Sequence, residues 1–206
     1  MITERAKAAG FWDSGYRLIY ADPPWQYRDT ASAGQRGASH KYSVMTLDAI
    51  KALPIADIAA PDCVLAMWHV PPMPQEALDV CRAWGFTFKT MKLFTWCKLT
   101  THGKRAFGMG SYTRGNSEDV LLGARGDYGA AFDTWPAEDC LIGLKGKRWR
   151  ESAAISQLVE APIREHSRKP DEVADLLVDL LGPVKHIELF ARRRRSDGWD
   201  YWGNEL

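Results

Sequence analysis

The stretch RLIYADPPW, from Arg17 to Trp25, joins an apolar run to a carboxylate, two prolines and an aromatic ring. The run Arg17–Ala21 has the length and composition of a buried β-strand, and the prolines that follow it cannot continue a strand ladder. In open α/β sheets, ligands bind beyond the carboxyl ends of the strands. The stretch therefore predicts a strand that presents Asp22 at the binding edge of a sheet.

The rest of the chain supplies strand and helix patterns that alternate with one another. Four apolar or β-branched runs predict further strands, namely Cys63–His69, Phe86–Cys97, Val120–Gly123 and Lys185–Phe190. Helical patterns follow Thr46 and Pro74, and the clearest covers Asp171–Leu181. This alternation predicts an α/β fold with a mostly parallel sheet and helices on both faces.

The composition is that of a globular domain. With 206 residues, 46% of them hydrophobic and 26% charged, the chain can bury a sizeable core, and we expect one domain over residues 1–206. No run approaches the roughly 18 apolar residues of a membrane span, and the first residues lack the apolar centre of a signal peptide. We expect a soluble, cytoplasmic monomer or homodimer with no membrane partner.

The cysteines and histidines do not form a metal-binding pattern. The four cysteines have no CxxC spacing, and the five histidines are dispersed along the chain. Zinc sites use ligands that recur at short, regular spacings. Cys63, Cys81 and Cys97 stand among apolar neighbours, so the pattern predicts buried, reduced thiols and no metal.

Basic residues cluster locally although the net charge is only +1. One cluster surrounds Trp149 and contains Lys145, Lys147, Arg148 and Arg150. Four cations beside one aromatic ring suit a phosphate backbone with a stacked base, while a solvated basic loop is the alternative. The second cluster is Arg192–Arg195, which we expect to divide between a bound ligand and the surface.

The residues Asp22 to Trp25 have the chemistry needed to hold an aromatic amine. The exocyclic amine of adenine is a poor nucleophile because its lone pair is delocalised into the ring. A carboxylate and a fixed backbone carbonyl that accept its hydrogens favour a pyramidal, more reactive nitrogen. Asp22 supplies the carboxylate, the prolines hold the Pro23 carbonyl rigidly, and Trp25 supplies an apolar plate for stacking. An ordinary strand-ending turn is the alternative.

The motif and the segments that follow it resemble the adenine-N6 methyltransferase family that includes the eukaryotic mRNA adenosine methyltransferase and phage and bacterial DNA methyltransferases. The matching segments occur in the family's order, from about Tyr16 onward. They are Asp22–Trp25, Met67–Val70, Gly110–Glu118, His166–Pro170, His186–Arg192 and Gly198–Glu205. The resemblance implies a Rossmann-like methyltransferase fold, circularly permuted in the order of the beta class, with the methylation motif before the cofactor strand.

The same resemblance implies S-adenosylmethionine as the cofactor. Lys169 would approach its carboxylate, and Arg192 and Arg194 its ribose and methionine region. Asn204 and Glu205 would bind its ribose or adenine edges, and Asp22 would border both cofactor and substrate. These residue types suit the ligand, since a cation binds a carboxylate and an acceptor binds sugar hydroxyls.

Further residues are candidates for contact with the target base. Tyr42 resembles a tyrosine of the family's substrate loop, while a locally packed surface tyrosine is the alternative. Tyr112, Asn116 and Glu118 belong to a Gly-bounded segment that could close over the base, although Glu118 could simply begin a strand. We expect Trp68 to be a packed core residue.

These observations predict an S-adenosylmethionine-dependent N6-adenine methyltransferase that acts on nucleic acid, with DNA favoured. The target base would leave its stack to enter the pocket, as base-modifying enzymes require. Three alternatives stay open: an RNA adenosine methyltransferase, a non-catalytic nucleic-acid-binding partner subunit, and a methyltransferase of small-molecule amines.

Overall fold

The computed structural model describes residues 1–26, 45–106, 116–126, 151–152, 154–165, 168–194 and 198–203. Within these ranges the chain forms seven strands and five helices. The strands are β1 (Tyr16–Ala21), β2 (Ala59–His69), β3 (Thr87–Leu99), β4 (Ser117–Arg125), β5 (Leu158–Pro162), β6 (His186–Leu189) and β7 (Trp199–Trp202). The helices are α1 (Glu4–Ala8), α2 (Leu47–Ala52), α3 (Ile55–Ile58), α4 (Pro74–Ala83) and α5 (Asp171–Leu181).

The seven strands form one sheet in the order β5-β3-β4-β2-β1-β6-β7. Every pairing is parallel except the two that β4 makes, with β2 and with β3. The predicted α/β fold with a mostly parallel sheet is therefore confirmed. Because β4 runs against its neighbours, it begins at the edge where β1 and β2 end, and Asp119 lies opposite His69.

The sheet has a buried layer on each face, and β1 contributes to both. Ile19 and Ala21 belong to one core cluster, while Leu18 and Tyr20 belong to the other, as expected from the alternation of side chains along a strand. The first cluster includes buried residues of α1 to α4, and the second includes the buried face of α5. Helices thus cover both faces, as the sequence predicts.

Capping residues recognised in the sequence set the boundaries of the predicted helices. Thr46 caps α2, since its hydroxyl accepts a hydrogen bond from the Ala49 N–H at 3.2 Å. Helix α5 begins directly after Pro170 and ends at Gly182, whose φ of 75° requires glycine. These helices match their predicted positions within a residue.

Some elements differ from the sequence prediction. Strand β4 is longer than Val120–Gly123 because the polar residues Ser117 to Asp119 pair with β3 as part of the ladder. The edge strands β5 and β7 and the short helices α1 and α3 were not predicted. Strand β5 alternates exposed and buried residues, and β7 is only partly buried throughout, so neither forms a continuous apolar run.

The thiols of Cys63, Cys81 and Cys97 form no disulfide; Cys63 and Cys81 are buried, as predicted, whereas Cys97 is only partly buried. Within the described ranges, no three His, Cys, Asp or Glu side chains lie together as metal ligands would. The described helices include none whose length and apolar character would let it cross a bilayer.

Candidate active site

A pocket lies at the carboxyl edge of the sheet, where five segments meet. It is formed by the residues after β1, the end of β2, the start of β4, the residue before Pro170 and the turn after β6. Its lining consists of Asp22, Pro23, Pro24, Trp25, Trp68, His69, Val70, Glu118, Lys169 and Arg192. The structure thus brings together seven residues that the sequence singled out for catalysis, cofactor or substrate: Asp22, Pro23, Pro24, Trp25, Glu118, Lys169 and Arg192.

Four charged side chains form a chain of alternating sign that runs into this pocket. The Lys169 Nζ lies 3.1 Å from an Asp22 carboxylate oxygen and 3.2 Å from Glu118 Oε2. The other oxygen of Glu118 accepts a hydrogen bond from Lys98 Nζ at 2.5 Å. We call these four residues, Lys98, Glu118, Lys169 and Asp22, the charge network. Lys169 is 14% exposed and Asp22 28%, so water screens these contacts only partly.

Burial and neighbouring charges set the protonation of the network. Burial raises the pKa of Asp22, Lys169 opposes that shift, and the Glu118 carboxylate adds to it. Burial alone would also raise the pKa of Glu118, but the ammonium groups of Lys169 and Lys98 outweigh it and hold that pKa below its usual range. Burial would lower the pKa of Lys169, yet its two carboxylate partners raise it. Asp22 is therefore the carboxylate of the network that takes up a proton most readily.

Trp68 forms one wall of the pocket and links three segments. Its indole N–H donates to the Tyr20 hydroxyl at 2.7 Å, and its carbonyl accepts from the indole N–H of Trp25 at 3.2 Å. The Lys169 ammonium lies 5.4 Å from the centre of its ring. With 1% of its surface exposed, Trp68 is the packed core residue that the sequence predicts, and it also holds Lys169 by a cation–π contact.

The turn from Asp22 to Trp25 is held by backbone hydrogen bonds. The Trp25 N–H donates to the Pro23 carbonyl at 2.8 Å, and the Met45 N–H donates to the Pro24 carbonyl at 3.2 Å. A carbonyl oxygen has two lone pairs, so that of Pro23 keeps one for a ligand. The Trp25 ring is 5% exposed and packs in the apolar core, so only a small part of it borders the pocket.

The turn after β6 places Arg192 at the pocket. Phe190 has a φ of 61°, in the left-handed region that costs energy for a residue with a side chain. Its ring packs edge-on against Trp202 at 5.4 Å between centroids, which helps to hold this backbone. A Cβ on Gly203 would come within 2.4 Å of the Ala191 carbonyl oxygen, so the close approach of the two segments requires glycine.

The remaining candidates are distributed differently. Arg194 and Asn116 are described but do not line the pocket; the Asn116 carbonyl accepts from the Lys98 N–H at 2.9 Å. Arg193 binds Asp171 at the start of α5, whereas Arg192 lines the pocket; Arg195 lies outside the described residues. The other predicted residues lie outside the described residues: Tyr42, Tyr112, Lys145, Lys147, Arg148, Arg150, Asn204 and Glu205.

Two residues at or beside the site, His69 and Lys98, were not predicted as functional residues from the sequence. His69 is 6% exposed and its Nε2 lies 3.0 Å from the Met91 carbonyl, so in the neutral ring Nε2 carries the hydrogen and Nδ1 is an acceptor. That Nδ1 has no hydrogen-bond partner among the described residues. The sequence contains one indication for Lys98: it follows Trp96 by two residues on one strand, so the two side chains lie on the same face of the sheet and can contact each other.

Comparison with known proteins gives a consistent result. Residues 16–205 match the MT-A70 family. The chain is 30% identical over 207 residues to the type II methyltransferase M.MunI of a Mycoplasma species, covering 93% of this chain and 78% of that protein. It is 27% identical to the N(6)-adenine-specific methyltransferase METTL4 of Homo sapiens, and 29% identical to the N6-methyladenosine RNA methyltransferase MTA1 of Cryphonectria parasitica.

These relatives differ in how much of their length the chain spans. Both eukaryotic matches cover 93% of this chain, but only 37% of METTL4 and 52% of MTA1. The matched region is thus about a third to a half of each of those two proteins and most of M.MunI.

Proposed function

The chain belongs to the MT-A70 family of N6-adenine methyltransferases, and from this premise we propose that it methylates adenine in DNA with S-adenosylmethionine as the methyl donor. The observation that carries the proposal is the position of Asp22 and Pro23, which line one pocket with Lys169 and Arg192. We further propose that residues 1–206 form one methyltransferase domain, in the circularly permuted order, acting as a monomer or a homodimer.

Asp22 would hold and activate the target amine. Its carboxylate accepts one amine hydrogen, and the free lone pair of the Pro23 carbonyl accepts the other. Acceptors fixed before the reaction stabilise the positive charge that develops on the nitrogen as it forms its new bond. The Lys169 ammonium, 3.1 Å from a carboxylate oxygen of Asp22, restrains the orientation of that carboxylate.

The charges around the pocket fit the cofactor. When bound, S-adenosylmethionine supplies an electrophilic methyl group on a sulfonium, and it also carries an ammonium and a carboxylate. The pocket offers both signs, with Lys169 and Arg192 suited to the carboxylate and Asp22 and Glu118 suited to the cationic groups. We propose Lys169 and Arg192 as its anchors among the described residues, with Arg194, Asn204 and Glu205 as further contacts.

The substrate we favour is DNA. The chain spans 78% of the type II methyltransferase M.MunI, against 52% of the RNA methyltransferase MTA1, which favours the bacterial DNA methyltransferases that the sequence motifs resemble. We propose that Tyr42, Tyr112, Asn116 and Glu118 contact the flipped base. The basic residues around Trp149 would bind the phosphate backbone.

A methylation assay on matched oligonucleotides tests the proposal. The protein is incubated with methyl-labelled S-adenosylmethionine and DNA or RNA of the same sequences, pooled to cover many adenine contexts, and N6-methyladenine is measured by mass spectrometry. We expect label in adenine of DNA. Asp22→Asn should reduce the rate about 100- to 1,000-fold, as loss of one preorganised contact commonly does. The exposed Asp48→Asn is the matched control and should be fully active.

Each outcome of this assay has a definite meaning. Label in RNA alone would replace DNA by RNA as the substrate. No label in either polymer would refute the nucleic-acid substrate, and normal activity of Asp22→Asn would remove Asp22 from the mechanism.

A further inference from the structure

Lys98 lies beside the proposed active site but does not line the pocket. We propose that Lys98 is a positioning residue that acts through Glu118 and Lys169 to keep Asp22 in its reactive carboxylate form. The inference rests on the proposed function, because it assigns Lys98 a part in the same reaction. Lys98 touches neither the pocket nor the proposed substrate, so its effect is transmitted by the charge network.

Strand pairing and the neighbouring Trp96 ring hold the Lys98 ammonium beside the Glu118 carboxylate. Residues Trp96 and Glu118 are opposite one another in the β3–β4 ladder, and the Lys98 N–H donates to the Asn116 carbonyl at 2.9 Å. The Lys98 ammonium lies 5.2 Å from the centre of the Trp96 ring and 2.5 Å from Glu118 Oε1. Its side chain is 23% exposed and that of Glu118 is 25% exposed, so this is a partly buried pair rather than a mobile surface contact.

The balance of charge explains why the pair matters for Asp22. Without Lys98, two carboxylates, Asp22 and Glu118, would share the single ammonium of Lys169. With Lys98, each carboxylate has one cation and the network is neutral overall. Glu118 then competes less with Asp22 for the Lys169 ammonium, which lies 3.1 Å from the Asp22 carboxylate.

Other charged or titratable groups face Asp22 from the elements around it. These are Glu118 on β4, Lys169 before α5, Arg192 after β6 and His69 at the end of β2. Removing the Lys98 charge leaves all of them in place and makes the surroundings of Asp22 more negative. A more negative environment favours the protonated carboxyl, which is a weaker acceptor for the amine N–H and lacks the negative charge that stabilises the developing positive charge on the nitrogen.

The test is the pH dependence of kcat/KM for methylation of a DNA oligonucleotide. In Lys98→Met, we expect the acidic limb of the profile to move to higher pH by about half a unit to one unit, typical for the loss of one nearby charge in a partly buried site. Lys92→Met is the matched control, because Lys92 is an exposed residue of the same strand with no ion pair among the described contacts. Its acidic limb should coincide with that of the wild type.

A double variant separates electrostatics from packing. Lys98→Met combined with Glu118→Gln again leaves one carboxylate and one ammonium, so its acidic limb should return toward the wild-type position even if its maximal rate is low. Circular dichroism checks the fold of each variant, and Lys98→Gln replaces Lys98→Met if the latter does not fold.

An unshifted acidic limb in Lys98→Met would overturn the inference, even with a lower rate, because it would show a structural role only. Equal shifts in Lys92→Met and Lys98→Met would also overturn it, because the effect would then be one of general charge. If the wild type methylates no DNA, both the proposed substrate and the inference about Lys98 are refuted. If the wild type is active and the acidic limb of Lys98→Met is not shifted, only the inference about Lys98 is refuted.

Discussion

Replacing Lys169 by methionine should destabilise the protein in a strongly pH-dependent way. The substitution leaves Asp22 and Glu118 facing one pocket without the ammonium that lies 3.1 and 3.2 Å from them. Removing one partner of a buried ion pair costs about 3–5 kcal/mol. Because these carboxylates are about a quarter exposed, water recovers part of that loss, and we expect about 2–3 kcal/mol at pH 7.

The sign of the pH dependence follows from the same contacts. In the variant, Asp22 loses the ammonium that opposes the effect of burial and of Glu118, so its pKa in the folded state rises further above that of the unfolded chain, whereas Glu118 keeps Lys98 as a partner. The folded state then binds a proton at Asp22 more tightly, and the deficit shrinks as the pH falls through that raised pKa. We expect the free-energy difference between variant and wild type to be clearly smaller at pH 5 than at pH 7.

Urea unfolding followed by tryptophan fluorescence at the two pH values measures this difference. Lys7→Met is the control, since the Lys7–Glu4 pair is 51% and 87% exposed and should contribute under about 0.5 kcal/mol. A Lys169→Met deficit below about 1 kcal/mol at pH 7, or one equal at pH 5 and pH 7, would refute the view that Lys169 neutralises a buried acidic pair.

Three further outcomes are expected. Trp68→Phe removes the donor to the Tyr20 hydroxyl and should cost about 1–3 kcal/mol in urea unfolding, whereas an unchanged midpoint would show that the bond contributes nothing. Gly203→Ala places a Cβ against the Ala191 carbonyl and should cost about 1–3 kcal/mol, seen as a lower Tm; an unaltered Tm would contradict the close approach. Burial raises the pKa of Asp22, so kcat/KM for methylation should begin to fall, as the pH is lowered, at a pH above the ordinary pKa of aspartate. If kcat/KM stays constant down to that ordinary pKa, the Asp22 carboxylate is not the titrating group.

Local pattern was sufficient to predict the elements whose signal lies within the element itself. Residues 18–21 of β1 are buried on both faces and so form a continuous apolar run, and α5 has a proline before it and a glycine after it. Asp22 was predicted from its place directly after this strand, whereas Lys169 was predicted from the resemblance of the segment His166–Pro170 to a motif of the family. What these signals share is that no knowledge of a distant partner is needed to see them.

The partners of these residues could not be predicted locally. That Glu118 meets Lys169 depends on β4 running against β2, and that Lys98 meets Glu118 depends on the register of β3 against β4. Sheet order and register arise from packing of the whole chain, and a short apolar run fits either strand direction. The edge strands β5 and β7 were not predicted for a related reason. A half-exposed strand carries few apolar residues, and so short a pattern does not distinguish it from a loop.

The position of β1 in the sheet has a consequence for biosynthesis. Strand β1 is made early, and its Leu18 pairs with His186 of β6, so one side of this apolar strand stays without its partner until β6 has left the ribosome. An unpaired apolar strand edge is a site where chains aggregate. Arg192 follows β6 in the chain, so a nascent chain stalled before β6 would lack this pocket residue and would also be prone to aggregate through the unpaired edge of β1.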